Sequence, residues 1–228
     1  MANRKVYRVG DNKEYVKEIE VNFKWYAGFS VSQKQKSIVD LHNEYNKIYK
    51  LDKVLEVSTK SLEKLGISLS AFNLMINAKD NKIFSVESAF QSSKKFELGG
   101  PYIDILDLPA IEAKKDMRLK NSGKLIGFEF YGRRWPLEPK TVFYDWLYVR
   151  ALYKNQKLSK EILKYDAFTD IEFNPKKSLN SQAKSAALFV ALSRANLLDY
   201  SMKSIENYFE VILNTRIDRV NKQMDFFE

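Results

Sequence analysis

The sequence predicts an α+β domain that is predominantly helical and carries a small β element at its N-terminus. Two stretches near the start alternate apolar and polar residues, as half-buried strands do. Most of the remaining chain has apolar residues at helical spacing, separated by short breaks rich in Gly or Pro. With 228 residues, 45% of them hydrophobic, the chain can bury one sizeable core. We therefore expect a single domain over residues 1–228, with strands and a basic helix in 1–60, the core that carries the candidate site in 61–200, and a helix and tail in 201–228.

The N-terminal strands are predicted at residues 4–9 and Tyr15–Trp25, joined by a turn at Gly10-Asp11-Asn12. A basic amphipathic helix follows, for which Ser32 is the candidate N-cap, with Gln35 three residues later completing a capping box. The apolar stripe of this helix comprises Ile38, Leu41, Tyr45 and Ile48.

The rest of the chain is predicted to alternate short strands with helices. Strands are expected at Val54–Val57 and Leu125–Trp135, and an irregular acidic segment at Phe168–Pro175. Helices are expected at Ser61–Leu65, Ile83–Phe96 (capped by Ser85), Pro109–Asn121, Glu138–Asn155, Leu158–Tyr165, Ser181–Leu198 and Met202–Leu213.

The absence of cysteine excludes whole classes of chemistry. Disulfides, thiolate metal sites and cysteine nucleophiles are ruled out, and a reducing compartment is expected. The first ten residues lack the apolar region of a signal peptide, and no apolar run approaches the length of a membrane span. We expect a cytoplasmic protein without membrane contacts.

A single histidine and a basic charge balance narrow the choice further. His42 is the only histidine, so two-histidine zinc motifs are excluded, and a Ser-His-Asp triad would have one candidate base, in the middle of a helix. An enzyme would therefore use carboxylates, lysine, tyrosine or a metal held by oxygen, and we expect neither a metal nor a cofactor. The net charge of +9 favours a polyanionic partner, although many basic proteins bind no nucleic acid.

The segment Ile83–Phe96 carries the most informative polar pattern. Read as a helix, it places Glu87, Gln91 and Lys94 on one stripe, with Phe90 on the same side. An acid, an amide and an amine suit a pocket wall, whereas a stripe of this kind on an ordinary helix is simply solvated. A lysine in such a pocket acts as a nucleophile only when it is partly neutral.

Two further segments combine polar side chains with aromatic ones. In Arg133-Arg134-Trp135 a guanidinium could hold a phosphate and the indole could stack on a base. The alternative there is a strand end with solvent-facing arginines. Residues 170–174 contain the acid pair Asp170 and Glu172 followed by Asn174, which could serve catalysis or only form a turn.

The sequence SVESAFQSSKKF resembles the signature of the NADAR superfamily (the YbiA-like proteins), whose helix reads roughly S-V-E-H-x-x-Q-x-x-K-F. Glu87, Gln91 and Lys94 match in register, while Ser88 stands where that family often has histidine. LSAFN at residues 69–73 is similar to the family's L-S-N-F segment, and Trp135 and residues 180–192 lie where the family has a tryptophan and a small-residue helix. The segments WYAGFSVSQKQKSI, VLEVSTKS, PKTVFYDWLY and FTDIEFNP resemble the subgroup that accompanies DarT-type toxins.

This resemblance implies an N-glycosidic hydrolase that removes ADP-ribose from guanine in single-stranded DNA, acting as an antitoxin or a counter-defence protein. By the same resemblance, Lys94 attacks C1″ to form a Schiff base and Glu87 moves protons, with Asp170 as a candidate second acid. The expected ligand-binding residues are Asn73, Phe90, Gln91, Trp135, Arg134 and Asn174. The expected partners are ADP-ribosylated single-stranded DNA, ADP-ribose as the product and, as a candidate, a cognate DarT-type toxin.

Other functions remain open at this stage. The chain could bind ADP-ribose or a related nucleotide without cleaving it, or hydrolyse an N-glycosidic bond in a free metabolite of riboflavin synthesis. It could also be a plain DNA-binding protein, since a basic surface serves all nucleic-acid binding.

Overall fold

The computed structural model describes residues 1–11, 14–78, 81–174 and 180–217, with side chains described as far as residue 213. In chain order the strands are β1 (Ala2–Asp11), β2 (Glu14–Phe23), β3 (Val54–Glu56), β4 (Met75–Asn77), β5 (Ile83–Ser85), β6 (Lys94–Phe96), β7 (Leu125–Phe130), β8 (Arg133–Trp135) and β9 (Ala167–Thr169). The helices are α1 (Val31–Ile48), α2 (Lys64–Ser68), α3 (Val86–Ser92), α4 (Ala110–Lys115), α5 (Arg118–Asn121), α6 (Val142–Lys154), α7 (Gln156–Ile162), α8 (Gln182–Arg194), α9 (Leu198–Ser201) and α10 (Ile205–Ile217), and a 3-10 turn spans Ile103–Asp107.

The fold mixes helices and strands, with more residues in helices than in strands, and it contains more strands than the sequence predicts. The strands form a four-stranded sheet in the order β2-β1-β9-β3, a two-stranded sheet β4-β5 and a three-stranded sheet β6-β7-β8. The N-terminal β element is therefore part of a larger sheet that also contains β3 and β9. Most of the added strands have three residues, too few for an alternating pattern to be recognised in sequence.

The predicted N-terminal strands are present and pair antiparallel, with Val6 opposite Ile19 and Val9 opposite Val16. The helix that follows begins earlier than expected, because its N-cap is Ser30 and not Ser32. The Ser30 hydroxyl accepts a hydrogen bond from the Gln33 backbone N–H, which satisfies one of the free N–H groups of the first turn.

The segment Ile83–Phe96 is not one helix. Ser85 caps α3 as predicted, since its hydroxyl accepts from the Ser88 N–H at 2.9 Å. The helix nevertheless ends at Ser92, and the chain continues as β6, in which Lys94 lies opposite Phe128 of β7. Backbone pairing with a strand some thirty residues further along the chain thus replaces the last helical turn.

Several other predicted elements differ in the structure; the helix expected at Ser61–Leu65, for example, is found at Lys64–Ser68. Leu125–Trp135 is a hairpin because Tyr131 and Gly132 both have positive φ, the conformation that tight two-residue turns require. Pro109–Asn121 forms the two short helices α4 and α5. The acidic segment Phe168–Pro175 begins within β9, and Pro175 itself lies outside the described residues.

The apolar side chains form two clusters that meet at β9. The larger cluster surrounds α3, α6 and α8, while the smaller one lies between α1 and the N-terminal strands. In β9, Phe168 belongs to the larger cluster and Ala167 to the smaller one. The division of the chain proposed from its sequence stays a prediction, and the tail after residue 217 lies outside the described residues. Within the described ranges, none of the helices has the length and apolar character needed to cross a bilayer.

Candidate functional site

A cavity of about 1180 Å³ opens beside α3. It is lined by side chains from α3, β6, α4, the loop at residues 170–174 and the N-terminal ends of α6 and α8. This volume exceeds that of most small-molecule pockets, which lie between roughly 300 and 1,000 Å³. A ligand as large as a dinucleotide could therefore enter it.

Helix α3 positions an acid and an amide on the wall of this cavity. Val86 and Ala89 are fully buried in the larger core, so the helix presents Glu87 and Gln91 on its cavity side. Both polar side chains are only 5% exposed. The Gln91 amide nitrogen donates to Glu87 Oε1 at 2.9 Å, a bond that fixes both groups.

The amide of Gln91 leaves one buried acceptor unused. Because Nε2 faces the Glu87 carboxylate, Oε1 must point the other way, and among the described residues it has no hydrogen-bond partner. A buried carbonyl oxygen without a donor costs roughly 1–3 kcal/mol, which a donor on a ligand could recover. A sugar hydroxyl in the cavity is a donor of this kind.

Lys94 enters the same cavity from the first position of β6. Its side chain is half-buried, and Nζ lies 4.9 Å from the centre of the Phe90 ring. Burial lowers the pKa of Lys94; the negative charge of Glu87 opposes this effect and the positive charge of Lys114 adds to it. The amine is therefore more readily neutral, and hence more nucleophilic, than a lysine in water.

The backbone carbonyls at the C-terminal end of α3 are paired with other parts of the protein. Ser92 O accepts from the Tyr102 N–H at 2.9 Å, and Ser93 O accepts from the Glu129 N–H at 2.7 Å. The hydroxyls of both serines donate to Ala89 O. These bonds hold the junction between α3 and β6 from which Lys94 projects.

Lys114 supplies a second cation close to Glu87. Its Nζ lies 3.7 Å from Glu87 Oε1 and 5.1 Å from the centre of the Phe72 ring. Both Lys114 and Phe72 line the cavity, and neither was a candidate from the sequence. Lys114 was one charge among several in a strongly charged segment, and no local pattern distinguished it.

The acidic loop contributes a carboxyl group on another side of the cavity. Asp170 Oδ1 accepts from the backbone N–H groups of Glu172 and Phe173, each at 3.1 Å, so the turn role expected of these acids is present. Burial, followed by the negative charge of Glu56, raises the pKa of Asp170 well above its ordinary value. A carboxyl group of this kind holds a proton to higher pH and can act as an acid.

Glu56 and His42 form a buried chain of hydrogen bonds beneath this loop. Glu56 accepts from the Ile171 N–H at 2.8 Å and from the Thr169 hydroxyl at 2.5 Å, and His42 Nε2 lies 2.8 Å from the same hydroxyl. Burial lowers the pKa of His42 to about 4, so the imidazole is neutral at pH 7. His42 does not line the cavity, which leaves it a structural role there.

The structure brings most of the expected site residues to the cavity, but not all of them. Those that line it are Glu87, Phe90, Gln91, Lys94, Asp170 and Asn174. Those outside its lining are Asn73, Arg134 and Trp135.

Each of the three outlying residues has a physical reason for its position. Asn73 uses its amide to donate to Ile67 O at 2.9 Å on the protein surface. Arg134 is solvent-exposed, with Nε 3.9 Å from a Glu129 carboxylate oxygen. Trp135 is only 3% exposed, because its ring packs on those of Phe143, Trp146 and Phe209, so the expected stacking on a ligand is not available to it.

The lining also includes residues that sequence reasoning missed. Besides Lys114 and Phe72, these include Lys60, Lys120, Lys140, Tyr144 and Gln182. Gln182 Oε1 accepts from the Ala71 N–H at 2.7 Å, which ties the start of α8 to the segment before α3. The only hint of the lysines was the overall positive charge, which does not locate them.

The described part of the chain contains no cluster of His, Asp or Glu side chains arranged to hold a metal ion. The groups that the cavity offers are therefore an amine, carboxyl groups, amides, aromatic rings and further lysines.

One comparison with known proteins identifies a relative group. A family model described as the DarT1-associated NADAR antitoxin (NADAR-DarT1) matches residues 2–222. A search of curated proteins found no match. The family match extends over nearly the whole chain, including every residue that lines the cavity.

Proposed function

Since this chain belongs to the NADAR-DarT1 family of DarT1-associated antitoxins, we propose that it hydrolyses the N-glycosidic bond between ADP-ribose and a guanine base of DNA. Such a reaction would reverse the modification made by a DarT-type toxin, which would be the functional counterpart of this protein. No metal or cofactor is needed for the steps below.

The observation that supports this proposal most strongly is the position of Lys94. Its amine is half-buried against Phe90 in the cavity that also holds Glu87, and burial lowers its pKa. A surface lysine has no such environment. The combination is typical of a lysine that forms a covalent bond with an aldehyde-like carbon.

The reaction would proceed through an imine. Neutral Lys94 Nζ attacks C1″ of the ribose, the C1″–N bond to guanine breaks, and the departing guanine nitrogen takes a proton. Loss of a proton from Nζ and opening of the ribose ring, with a proton added to the ring oxygen, give a Schiff base. Water then adds to C1″, the C1″–Nζ bond breaks, and ADP-ribose leaves with the amine regenerated. No oxidation or reduction occurs at any step.

The neighbouring groups suit the proton transfers that these steps need. Glu87 adjoins Lys114 and Gln91, and it could accept a proton from the attacking amine and return it to the leaving nitrogen. The raised pKa of Asp170 makes it the candidate for a second acid. The unused acceptor of Gln91 could hold a ribose hydroxyl.

The lysines around the cavity suit the diphosphate of ADP-ribose. Lys60, Lys114, Lys120 and Lys140 all line it, and lysine is a common partner of phosphate groups. We propose that a subset of them neutralises the diphosphate, while Phe72 and Tyr144 offer flat apolar surfaces for the sugar or the base.

The decisive experiment uses single-stranded DNA that carries ADP-ribose on guanine. Lys94→Ala should reduce release of ADP-ribose to the background level, and sodium borohydride should cross-link the wild-type protein, but not the variant, to the substrate. Lys95→Ala is the matched control, because Lys95 is the adjacent lysine and does not line the cavity. Its Nζ lies 3.4 Å from Glu129 Oε2. Near-normal turnover by a folded Lys94→Ala protein would show that Lys94 is not the nucleophile.

Glu87→Gln tests the proton-transfer role separately. Glutamine keeps the oxygen that accepts from Gln91 but cannot carry a proton between groups, so turnover should fall about 10²- to 10⁴-fold, the usual range for general acid–base catalysis. Affinity for ADP-ribose, measured by calorimetry, should change much less. Glu112→Gln, on exposed α4, controls for loss of a negative charge.

A further inference from the structure

The segment that joins β2 to α1 exposes aromatic rings among positive charges. Residues 21–39 contain Lys24, Lys34 and Lys36 and no acidic residue. Phe29 is fully exposed, and Trp25 and Tyr26 are partly exposed. A fully exposed phenylalanine is unusual on a protein surface without a partner, because burying such a ring is worth roughly 1.5–3 kcal/mol.

The rings and the positive charges are in direct contact. Lys34 Nζ lies 4.5 Å from the centre of the Trp25 ring, and Arg4 Cζ lies 5.3 Å from the same centre. Lys24 Nζ lies 5.0 Å from the Tyr26 ring. Cations over aromatic faces next to further exposed rings are the combination with which proteins bind single-stranded nucleic acid, since phosphates meet the cations and bases stack on the rings.

The backbone of this segment is held in place by α1. The Tyr26 N–H donates to the Ser37 hydroxyl at 2.9 Å, and the Lys24 N–H donates to the Asp40 carboxylate at 2.7 Å. Asp40, the first acid after this segment in the chain, is thereby engaged with the backbone. Helix α1 has no acidic residue in its first turn, so the positive end of its dipole adds to the local potential.

We infer that the surface formed by Arg4, Lys24, Trp25, Tyr26, Phe29 and Lys34 binds single-stranded DNA, the kind of polymer that would carry the modified guanine. This inference rests on the proposed function in one respect, namely that DNA carries the substrate. None of these side chains lines the cavity, so the surface would contribute affinity for the strand and not chemistry.

The test measures binding of an unmodified, fluorescein-labelled dT20 strand to the full chain by anisotropy. Phe29→Ala should weaken binding at least about fivefold, the low end for the loss of one base–aromatic stack. Lys24→Gln should weaken it and also reduce the slope of log affinity against log salt by about 0.7, the value for one phosphate contact on a single strand. Leu51→Ala, at an equally exposed apolar side chain, and Lys157→Gln, at an exposed lysine, should bind as the wild type does.

Several outcomes would overturn the inference. They are undetectable binding of dT20 to the wild type at low salt, unchanged binding by both Phe29→Ala and Lys24→Gln, and an equal effect of Phe29→Ala on double-stranded DNA, whose bases cannot stack on a ring. Anionic lipid vesicles that bind the wild type and not Phe29→Ala, without dT20 binding, would assign the surface to a membrane instead.

A second substrate separates this inference from the proposed hydrolase activity. ADP-ribosylated guanosine is too small to reach beyond the cavity, so Phe29→Ala should release ADP-ribose from it at the wild-type rate and be impaired only on an oligonucleotide. If dT20 binds as expected but the wild type releases no ADP-ribose from either substrate, the hydrolase proposal fails while the DNA surface stands. If Phe29→Ala is equally impaired on guanosine, the DNA surface fails while the hydrolase proposal stands.

Discussion

Two lysines flank the Glu87 carboxylate and differ in their surroundings. Lys94 is half-buried against Phe90, whereas Lys114 is largely exposed and rests on the Phe72 ring. The positive charge of Lys114 lowers the pKa of Lys94, while Glu87 raises it. Lys114 would therefore be a positioning residue, because its charge alters the pKa of Lys94. It could also contact a phosphate of the substrate.

Lys114→Met should move the pH dependence of turnover toward higher pH. Removing the second cation raises the pKa of Lys94, so a smaller fraction of the amine is neutral at pH 7 and the activity there falls. Above the new pKa the amine is again neutral, and kcat should approach the wild-type value. The measurement is kcat as a function of pH, with Lys114→Arg restoring the wild-type profile.

Lys120→Met is the control for this experiment, because Lys120 also lines the cavity, whereas the lysine that lowers the pKa of Lys94 is Lys114. Lys120→Met should weaken substrate binding without shifting the pH profile of kcat. If Lys114→Met gave the same result, Lys114 would contribute to substrate binding and not to the pKa of Lys94.

The buried acid Glu56 should make stability depend on pH. Burial raises its pKa in the folded protein, so the folded state holds a proton that the unfolded state has released, and Glu56 weakens folding as pH rises above its ordinary value of 4.5. Glu56→Gln cannot ionise, so its free energy of unfolding relative to the wild type should increase between acid and neutral pH. Urea unfolding at several pH values measures this difference.

Other carboxyl groups also titrate over this range, so only the difference between the two proteins is informative. Burial and the charge of Glu56 raise the pKa of Asp170 in the same network, so removing that charge lowers the pKa of Asp170 and adds to the difference in the same direction. Glu112→Gln, at an exposed acid of α4 outside this network, should show a flat difference. A flat difference for Glu56→Gln as well would mean that Glu56 is ionised in the folded protein at no cost.

At the scale of single elements, the cap of α3 was predicted correctly and that of α1 was not, while the pairings between distant segments were missed. The start of α3 could be predicted because the Ser85 hydroxyl and the Ser88 N–H are three residues apart. Its end could not, because β6 exists only through pairing with β7. Lys94 therefore reaches the cavity as expected, but from a strand instead of a third helical turn.

Trp135 illustrates the same limit for a side chain. An arginine pair followed by tryptophan has the composition of a surface that binds nucleic acid. The ring is buried because α6 and α10 bring Phe143, Trp146 and Phe209 to it. The aromatic residues of α6 follow Trp135 closely in the sequence, but the packing of the helix determines whether their side chains point toward the Trp135 ring.

Strand β9 should be unusually sensitive to mutation, since it lies between β1 and β3 and contributes to both cores. Phe168→Ala should lower the free energy of unfolding by about 3–5 kcal/mol, because the side chain is fully buried and leaves a cavity. Ile126→Ala, at a strand position that is 50% exposed, should change it by less than about 0.5 kcal/mol. Chemical denaturation measures both.

Phe168→Ala should also impair the site, because Asp170 lies two residues after it in the same chain segment. A variant that loses stability but keeps wild-type turnover under stabilising conditions would show that the loop holds its shape without β9. Equal stability of the two variants would contradict the central position of β9 in the core.

For the whole molecule, the net charge of +9 and the lysines of the cavity bear on substrate capture. We expect kcat/KM for an ADP-ribosylated oligonucleotide to fall steeply as salt increases, because phosphate contacts release counterions. The same constant for ADP-ribosylated guanosine should change much less. Equal salt dependence would indicate that the protein recognises the modification alone, as an enzyme acting on a free metabolite would.

Only part of the site could be predicted from the sequence, because some of its residues come together through the packing of distant segments. Glu87, Gln91 and Lys94 lie within eight residues of one another and match a known signature, so the sequence alone brought them together. Lys114, Phe72 and Tyr144 come from separate segments, and their convergence depends on how α3 packs against α4 and α6. Composition predicted that lysines would matter, and the fold determines which of them face the cavity.

The paired carbonyls at the end of α3 have a consequence for how readily Lys94 reacts. The free carbonyl oxygens at a helix C-terminus ordinarily stabilise the cationic form of a nearby lysine. In this protein Tyr102 and Glu129 take up the Ser92 and Ser93 oxygens through their own backbone N–H groups. These two oxygens therefore stabilise the ammonium form of Lys94 less than free carbonyl oxygens would, which acts in the same direction as burial on the pKa of Lys94.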